Sequence, residues 1–164
     1  MSDTLDLSGF NRTVEAFVNN IPKRVSQAQR KIVLDILAGV VRRTPVDTGR
    51  ARGNWQVSIG QPATGETGVT LTKRHKAAPK GEVAKLSKMP RFTVAWVVNN
   101  VPYIDDLEFG QFMPKDPGPS KDPRKGRKGR VLVKGGYSVQ APQGMMRVTL
   151  AQIEAELQKM LDEF

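Results

Sequence analysis

The residues best placed by type and spacing to do chemistry are the acidic trio Asp105, Asp106 and Glu108. Carboxylates this dense can hold a divalent cation and activate water for phosphodiester cleavage. On a helix, however, only positions three or four apart meet, so Asp105 and Glu108 share a face and Asp106 points elsewhere. Two carboxylates are an incomplete metal set, and a nuclease is the weakest reading. The one histidine, His75, lies within Lys73-Arg74-His75-Lys76, where cations oppose its protonation and no neighbouring acid orients the ring. It reads as a surface residue. The chain has no cysteine, hence no thiolate nucleophile and no disulfide. Gly126-Arg127-Lys128-Gly129-Arg130 lacks the Gly-Lys-Ser/Thr that a phosphate-binding loop places before a helix. The expectation is a protein that is not an enzyme, with no catalytic residue, cofactor or metal site.

The charge pattern says more than these groups do. Residues 73–91 carry seven Lys/Arg against one acid, and residues 111–140 carry eight against two, more than the whole net charge of +10. A nearly neutral body therefore presents two basic stretches rich in Gly and Pro, an electrostatic footprint for an acidic partner or nucleic acid. The residues expected to face DNA or a partner are Lys73, Arg74, Lys76 and Lys80 in the first, and Arg124, Lys125, Arg127, Lys128 and Arg130 in the second. Loop cations touch phosphates without choosing bases. A helix-turn-helix is excluded because the two long helical patterns stand at opposite ends of the chain.

At 164 residues the chain suffices for one domain, residues 1–164, with basic loops at 73–91 and 111–140. Ser8 can cap a first helical segment with Phe10, Val14, Phe17, Val18 and Ile21 on one face. Pro22 predicts a kink or a fresh start. Beyond it, Val25, Ile32, Ile36 and Val40, widened by Val33, Leu37 and Val41, predict an amphipathic helix that Thr44-Pro45 stops. Trp55–Ile59 alternates as a half-buried strand, Thr67–Thr72 can pair back on it, and Phe92–Val98 is apolar enough to be central. Pro102 opens a short helix that Gly110 ends, with Tyr103 and Leu107 facing the core. A last helix follows Met145, with one stripe of Thr149, Ile153 and Leu157 and an overlapping one of Met146, Leu150, Leu157 and Leu161. The fold class is α+β: a long kinked N-terminal helix and a C-terminal helix packed on a small antiparallel sheet of three or four strands. No apolar run is long enough to span a membrane, and the polar, acidic start is unlike a secretory signal.

Between helix and sheet, Pro45-Val46-Asp47-Thr48-Gly49-Arg50-Ala51-Arg52 is dense in turn formers. Asp47 can accept the amides of Gly49 and Arg50, and Gly49 can take a positive φ. Glu108, set between Leu107 and Phe109, needs a partner if buried, and either Arg50 or Arg52 is the expected one. This turn resembles the Pro-Val-Asp-Thr-Gly-x-Leu-Arg signature of the tail-component family typified by gene product 10 of phage HK97, small neck and tail-completion proteins of tailed bacteriophages. Tyr103-Ile104-Asp105-Asp106-Leu107-Glu108-Phe109-Gly110 is similar to that family's aromatic segment ending in Glu-Phe-Gly, and Pro142-Gln143-Gly144-Met145 to its entry into the last helix. The likeness covers most of residues 20–164. Ala51 stands where the family has Leu, and the segment between Gly110 and Pro142 is unusually long and basic.

The resemblance implies a structural virion protein without catalytic residues. It would form a hexameric, or dodecameric, ring at the head–tail junction, assembled in the host cytoplasm. Its partners would be copies of itself and other neck or tail proteins such as portal, adaptor, tail terminator or tube, with non-specific contact to genomic DNA and no membrane. The motif residues Pro45, Asp47, Thr48, Gly49, Arg50, Arg52, Tyr103, Glu108, Phe109 and Gly110 would then be structural. The 111–140 arm, with no apolar side chain to bury at its centre, would order by docking on a neighbour. The alternative is a free-standing nucleic-acid-binding protein indifferent to sequence.

Overall fold

The structure, a computed structural model, describes residues 8–72, 74–75, 77–111, 133–134, 136–138 and 140–162. Helix α1, Ser8–Arg43, runs 36 residues, about 54 Å, and continues unbroken through Pro22, so no fresh helix starts there. A four-residue turn of helix, α2 (Arg50–Gly53), leads into strand β1 (Trp55–Ile59). Helix α3 (Lys80–Ser87) precedes β2 (Ala95–Asn99), and α4 (Ile104–Phe109) follows it. The short pair β3 (Val133–Lys134) and β4 (Tyr137–Ser138) leads to α5, Met146–Asp162. The α+β architecture read from the sequence is the one observed.

Among the described residues β1 and β2 form an antiparallel ribbon with Trp55 opposite Asn99 and Ile59 opposite Ala95. The expected third strand, Thr67–Thr72, is not one: its backbone lies against α2 instead, with the Leu71 amide donating to the Gly49 carbonyl at 3.0 Å. Nor is Phe92–Val98 central. The strand starts at Ala95, and Phe92, Val94 and Trp96 stay 67%, 59% and 40% exposed.

The core gathers Val33, Leu37, Val40 and Val41 of α1 with Trp55, Val57, Leu86 and Met89. Full burial of a side chain such as Leu37 stabilises by roughly 1.5–3 kcal/mol relative to exposure. A second cluster joins Ala51, Val101, Leu107, Ala141 and Met145. The apolar stripe of α1 is thus buried in its C-terminal half, while Val14, Val18, Ile21 and Val25 remain exposed. The reason lies in what covers the helix. Thr149 and Gln152 of α5 meet Gly39 and Arg43, while Glu156 lies near Lys31, so α5 runs antiparallel to α1 from its C-terminal end. At 17 residues, about 26 Å, α5 is half as long as α1. On α5 the stripe of Thr149, Ile153 and Leu157 faces inward, whereas Leu150 is exposed.

The segment 73–91 is not the open loop its charge suggests. Pro79 sets the start of α3, Leu86 and Met89 enter the core, and the Glu82 carboxylate accepts the Val57 amide at 2.7 Å. That bond satisfies an amide on the side of β1 away from β2. Lys85 is tied to the same carboxylate, and Arg30 of α1 donates to the Met89 carbonyl.

Candidate functional site

The two sequence motifs meet the two long helices at their ends. At the C-terminal end of α1 the Thr44 hydroxyl, fully buried, donates to the Val40 carbonyl at 2.6 Å and accepts the Trp55 indole N–H at 2.6 Å. Arg52 lies beneath it, buried. Its guanidinium donates to the Thr44 carbonyl through Nε (3.1 Å) and Nη2 (2.7 Å), to the Arg42 carbonyl at 3.4 Å and to the His75 carbonyl at 3.2 Å. The last carbonyls of a helix lack partners and carry partial negative charge, so a buried cation is at home there without a carboxylate. Burial still pulls the Arg52 pKa below the ordinary arginine value.

The turn itself is built on two glycines. Gly49 has φ +90°, and a Cβ there would stand 2.4 Å from the Leu71 carbonyl oxygen; one on Gly53 would stand 2.1 Å from that of Val69. The 67–72 segment therefore packs directly on backbone. Buried Asn54 locks it there, its Oδ1 accepting the Thr67 amide at 2.7 Å and its Nδ2 donating to the Arg50 carbonyl at 2.8 Å. Thr48, not Asp47, accepts the Arg50 amide. Asp47 is exposed beside a surface hollow shared with Val46, Thr48, Thr72 and Arg74, and Pro45 is half-buried.

Neither arginine pairs with Glu108. Arg50 reaches Glu66 through two bonds and lies 5.9 Å from the half-buried Tyr103 ring. The Glu66 partner raises the Arg50 pKa, and the arginine's hydrogen bond holds the Glu66 carboxyl below the usual glutamate range. Glu108, buried, turns to α5. Its Oε2 accepts the amides of Met145 (2.7 Å) and Met146 (2.9 Å), and Oε1 accepts the Arg147 amide at 2.9 Å. Arg147 also donates Nε to Oε1 at 3.3 Å and Nη2 to the Glu108 carbonyl at 2.6 Å and the Tyr137 hydroxyl at 3.1 Å. The same guanidinium stacks 5.1 Å from the exposed Phe109 ring, and the Tyr137 ring packs directly on Gly110, the left-handed residue ending α4. A carboxylate at a helix N-terminus satisfies orphan amides and complements the dipole, so Glu108 caps α5 from a separate element.

A further tie had no signal in the sequence. The Gln140 side chain clamps Val46, accepting its amide at 3.1 Å and donating to its carbonyl at 3.3 Å. It joins the α1 turn to the approach of α5 across 94 positions.

Of the residues expected to face DNA or a partner, Arg74 and Lys80 are exposed, as are Lys88 and Arg91. Lys73, Lys76, Arg124, Lys125, Arg127, Lys128 and Arg130 lie outside the described residues. His75 is exposed, its Nδ1 2.9 Å from the Thr72 hydroxyl. Among the described residues no three acidic, histidine or cysteine groups gather as a metal site, and the trio is divided: Asp105 exposed, Asp106 half-buried, Glu108 committed to α5. No described helix is long and apolar enough to cross a membrane.

No family model, curated protein or solved structure matches the chain. What the geometry offers is a pair of helix-end locks: a buried guanidinium on the carbonyls closing α1 and a buried carboxylate on the amides opening α5.

Proposed function

We propose that the chain is a structural subunit of a ring at the head–tail junction of a tailed bacteriophage, a neck or tail-completion protein joining portal or adaptor to tail around the DNA channel. The observation that carries this reading is the use made of the two motifs on which the family resemblance rests. Arg52 and Glu108 are spent on holding the terminal helices, so the polar groups with the strongest geometry are turned inward, and the cations Arg74, Lys80, Lys88 and Arg91 outward. That division suits a subunit whose work is assembly: a fixed body, with Arg74, Lys80, Lys88 and Arg91 free to meet an acidic protein surface or DNA phosphates. A ring repeats those charges into a collar, and phosphate contact without base readout lets a genome slide.

The test is native mass spectrometry and class-averaged electron microscopy of the purified chain, alone and with portal and tail-tube proteins. The expected result is a particle of sixfold or twelvefold symmetry that binds a neck component more weakly as salt rises. Tight binding of arbitrary DNA by a monomer or dimer, with no affinity for neck proteins, would replace this reading by the free-standing nucleic-acid binder. Magnesium-dependent cleavage lost in Asp105→Asn would overturn both.

A further inference from the structure

The tip between α3 and β2 is tied down at both ends and open in the middle. Met89, 1% exposed, anchors one end in the core, and its carbonyl accepts the Arg30 guanidinium of α1. At the other end the Thr93 carbonyl accepts the Gln29 side chain at 2.7 Å. Between these ties Pro90, Arg91 and Phe92 all stand exposed. Phe92 has φ +56°, the one described residue other than glycine in the left-handed region, and is 67% exposed. A bulky residue keeps so costly a backbone state only where its surroundings fix it, and the ties at Met89 and Thr93 do so here. The Phe92 ring is presented outward on a fixed turn.

A second ring follows four positions on. The 60–65 turn covers part of the outer face of the β1–β2 ribbon, where Gln56 donates to the Gly65 carbonyl at 2.8 Å. Trp96, on that face opposite Ser58, stays 40% exposed. Its indole N–H donates to the Gly60 carbonyl at 3.0 Å, which satisfies the ring's polar atom and holds its plane in place. Along the chain the two aromatic residues are at most about 14 Å apart.

The surroundings are basic without relief. Residues 16–34, the stretch of α1 that supplies Gln29 and Arg30, contain four Lys/Arg and no acid; residues 83–104 contain three and no acid. Strand β1 and the 60–65 turn carry no charge. Lys31 and Lys85 are paired with Asp35 and Glu82, while Lys23, Arg24, Lys88 and Arg91 are exposed.

We infer that this tip is a contact site for single-stranded nucleic acid, with unpaired bases stacking on Phe92 and Trp96 and phosphates meeting Lys88 and Arg91. The occupant follows from finding fixed rings and unrelieved positive charge together. An acidic protein surface would answer the cations and give the rings nothing to stack on. A duplex keeps its base faces against one another and could offer only phosphates. A single strand offers both, and since every base has a π-face the contact is indifferent to sequence. Such a contact deepens the neck reading, on which the genome as occupant rests, by naming where an unpaired stretch of it would be held.

The test uses the full chain and a short oligothymidylate, followed by anisotropy of the labelled oligonucleotide and by intrinsic fluorescence. Trp55 is 4% exposed, so quenching on titration reports Trp96. Phe92→Ala and Phe92→Leu should each weaken binding about tenfold while leaving the salt dependence as in wild type. Leucine keeps an apolar side chain of similar reach, so it separates stacking from mere greasiness, and thermal melts of both variants should match wild type. Arg91→Gln should instead lower the log–log salt slope by about 0.7. Binding by Phe92→Leu within about twofold of wild type, absence of quenching, or a duplex held as tightly as the single strand would each overturn the site. Vesicles of phosphatidylserine and phosphatidylcholine that bind wild type but not Phe92→Ala, where the oligonucleotide fails to bind, would give the surface to an anionic membrane instead. A chain that ignores the oligonucleotide yet assembles with portal or tail-tube protein would overturn the site and leave the neck reading standing. Stacking with no affinity for neck proteins would keep the site and remove that reading.

Discussion

Replacing Glu108 is the sharpest probe of how the body is held together. Glu108 is 7% exposed, and its carboxylate accepts three main-chain amides at 2.7–2.9 Å, one of them from fully buried Met145. Alanine would leave those donors facing the space the side chain filled. An unsatisfied buried donor costs about 1–3 kcal/mol, and water entering the gap recovers part of the sum, so Glu108→Ala should cost about 3–5 kcal/mol. Glutamine keeps one acceptor oxygen but turns an NH₂ toward the same amides and removes the charge that favours a helix N-terminus; about 2 kcal/mol is expected. For a chain of 164 residues the alanine variant should melt about 10 °C lower, and its denaturant midpoint should fall with little change in slope. Arg147→Ala is the companion experiment. That side chain is largely exposed, so its loss should matter clearly less than loss of the carboxylate. If Glu108→Ala stayed within about 1 kcal/mol of wild type, or Arg147→Ala were the more damaging, the helix-capping account would be wrong.

At the other motif, Gly49→Ala and Gly53→Ala should each destabilise by more than about 2 kcal/mol, because a Cβ would meet carbonyl oxygens of Leu71 or Val69 at 2.4 and 2.1 Å; denaturant titration reads this directly. The Arg50–Glu66 pair should act only above acid pH. The Glu66 carboxyl is held below its ordinary value, so its contribution is complete above about pH 4.3 and is lost as pH falls through the folded value; the melting difference between wild type and Glu66→Gln should close over that window. Deleting residues 124–130 should leave the melting temperature unchanged but weaken ring or neck assembly, and rising salt should weaken the wild type in the same direction. Unchanged assembly after the deletion would remove any role for the arm.

The parts of this fold legible in the sequence are those written in local periodicity. The stripe from Val33 to Val41, the alternation around Val57, and Gly110 after α4 each depend on neighbours a few positions away. What escaped was written between distant segments. Thr67–Thr72 has the composition of a strand, yet Gly49 and Gly53, one helical turn apart, form a side-chain-free shelf that takes its backbone. In 73–91 the cations hide a helix whose apolar groups Val83 and Leu86, followed by Met89 just beyond its end, reach the core. Phe92–Val98 carries apolar residues on both faces, which favours a central strand, but among the described residues Phe92, Val94 and Trp96 remain exposed.

Glu108 shows where matching side chain to side chain stops working. Burial next to Leu107 and Phe109 does imply a partner. In place of Arg50 or Arg52, its oxygens are met mainly by amides at the start of a helix 37–39 positions later, groups that every residue carries and no sequence pattern marks. Arg52 makes the complementary case: a buried cation whose partners are the carbonyls of Arg42, Thr44 and His75. Motifs of this kind describe the closing of a body, and they leave recognition to surfaces with weaker signatures. Here the groups left outward among the described residues are Val14, Val18, Ile21 and Val25 of α1, Phe92 with Trp96, and the cations Arg74, Lys80, Lys88 and Arg91.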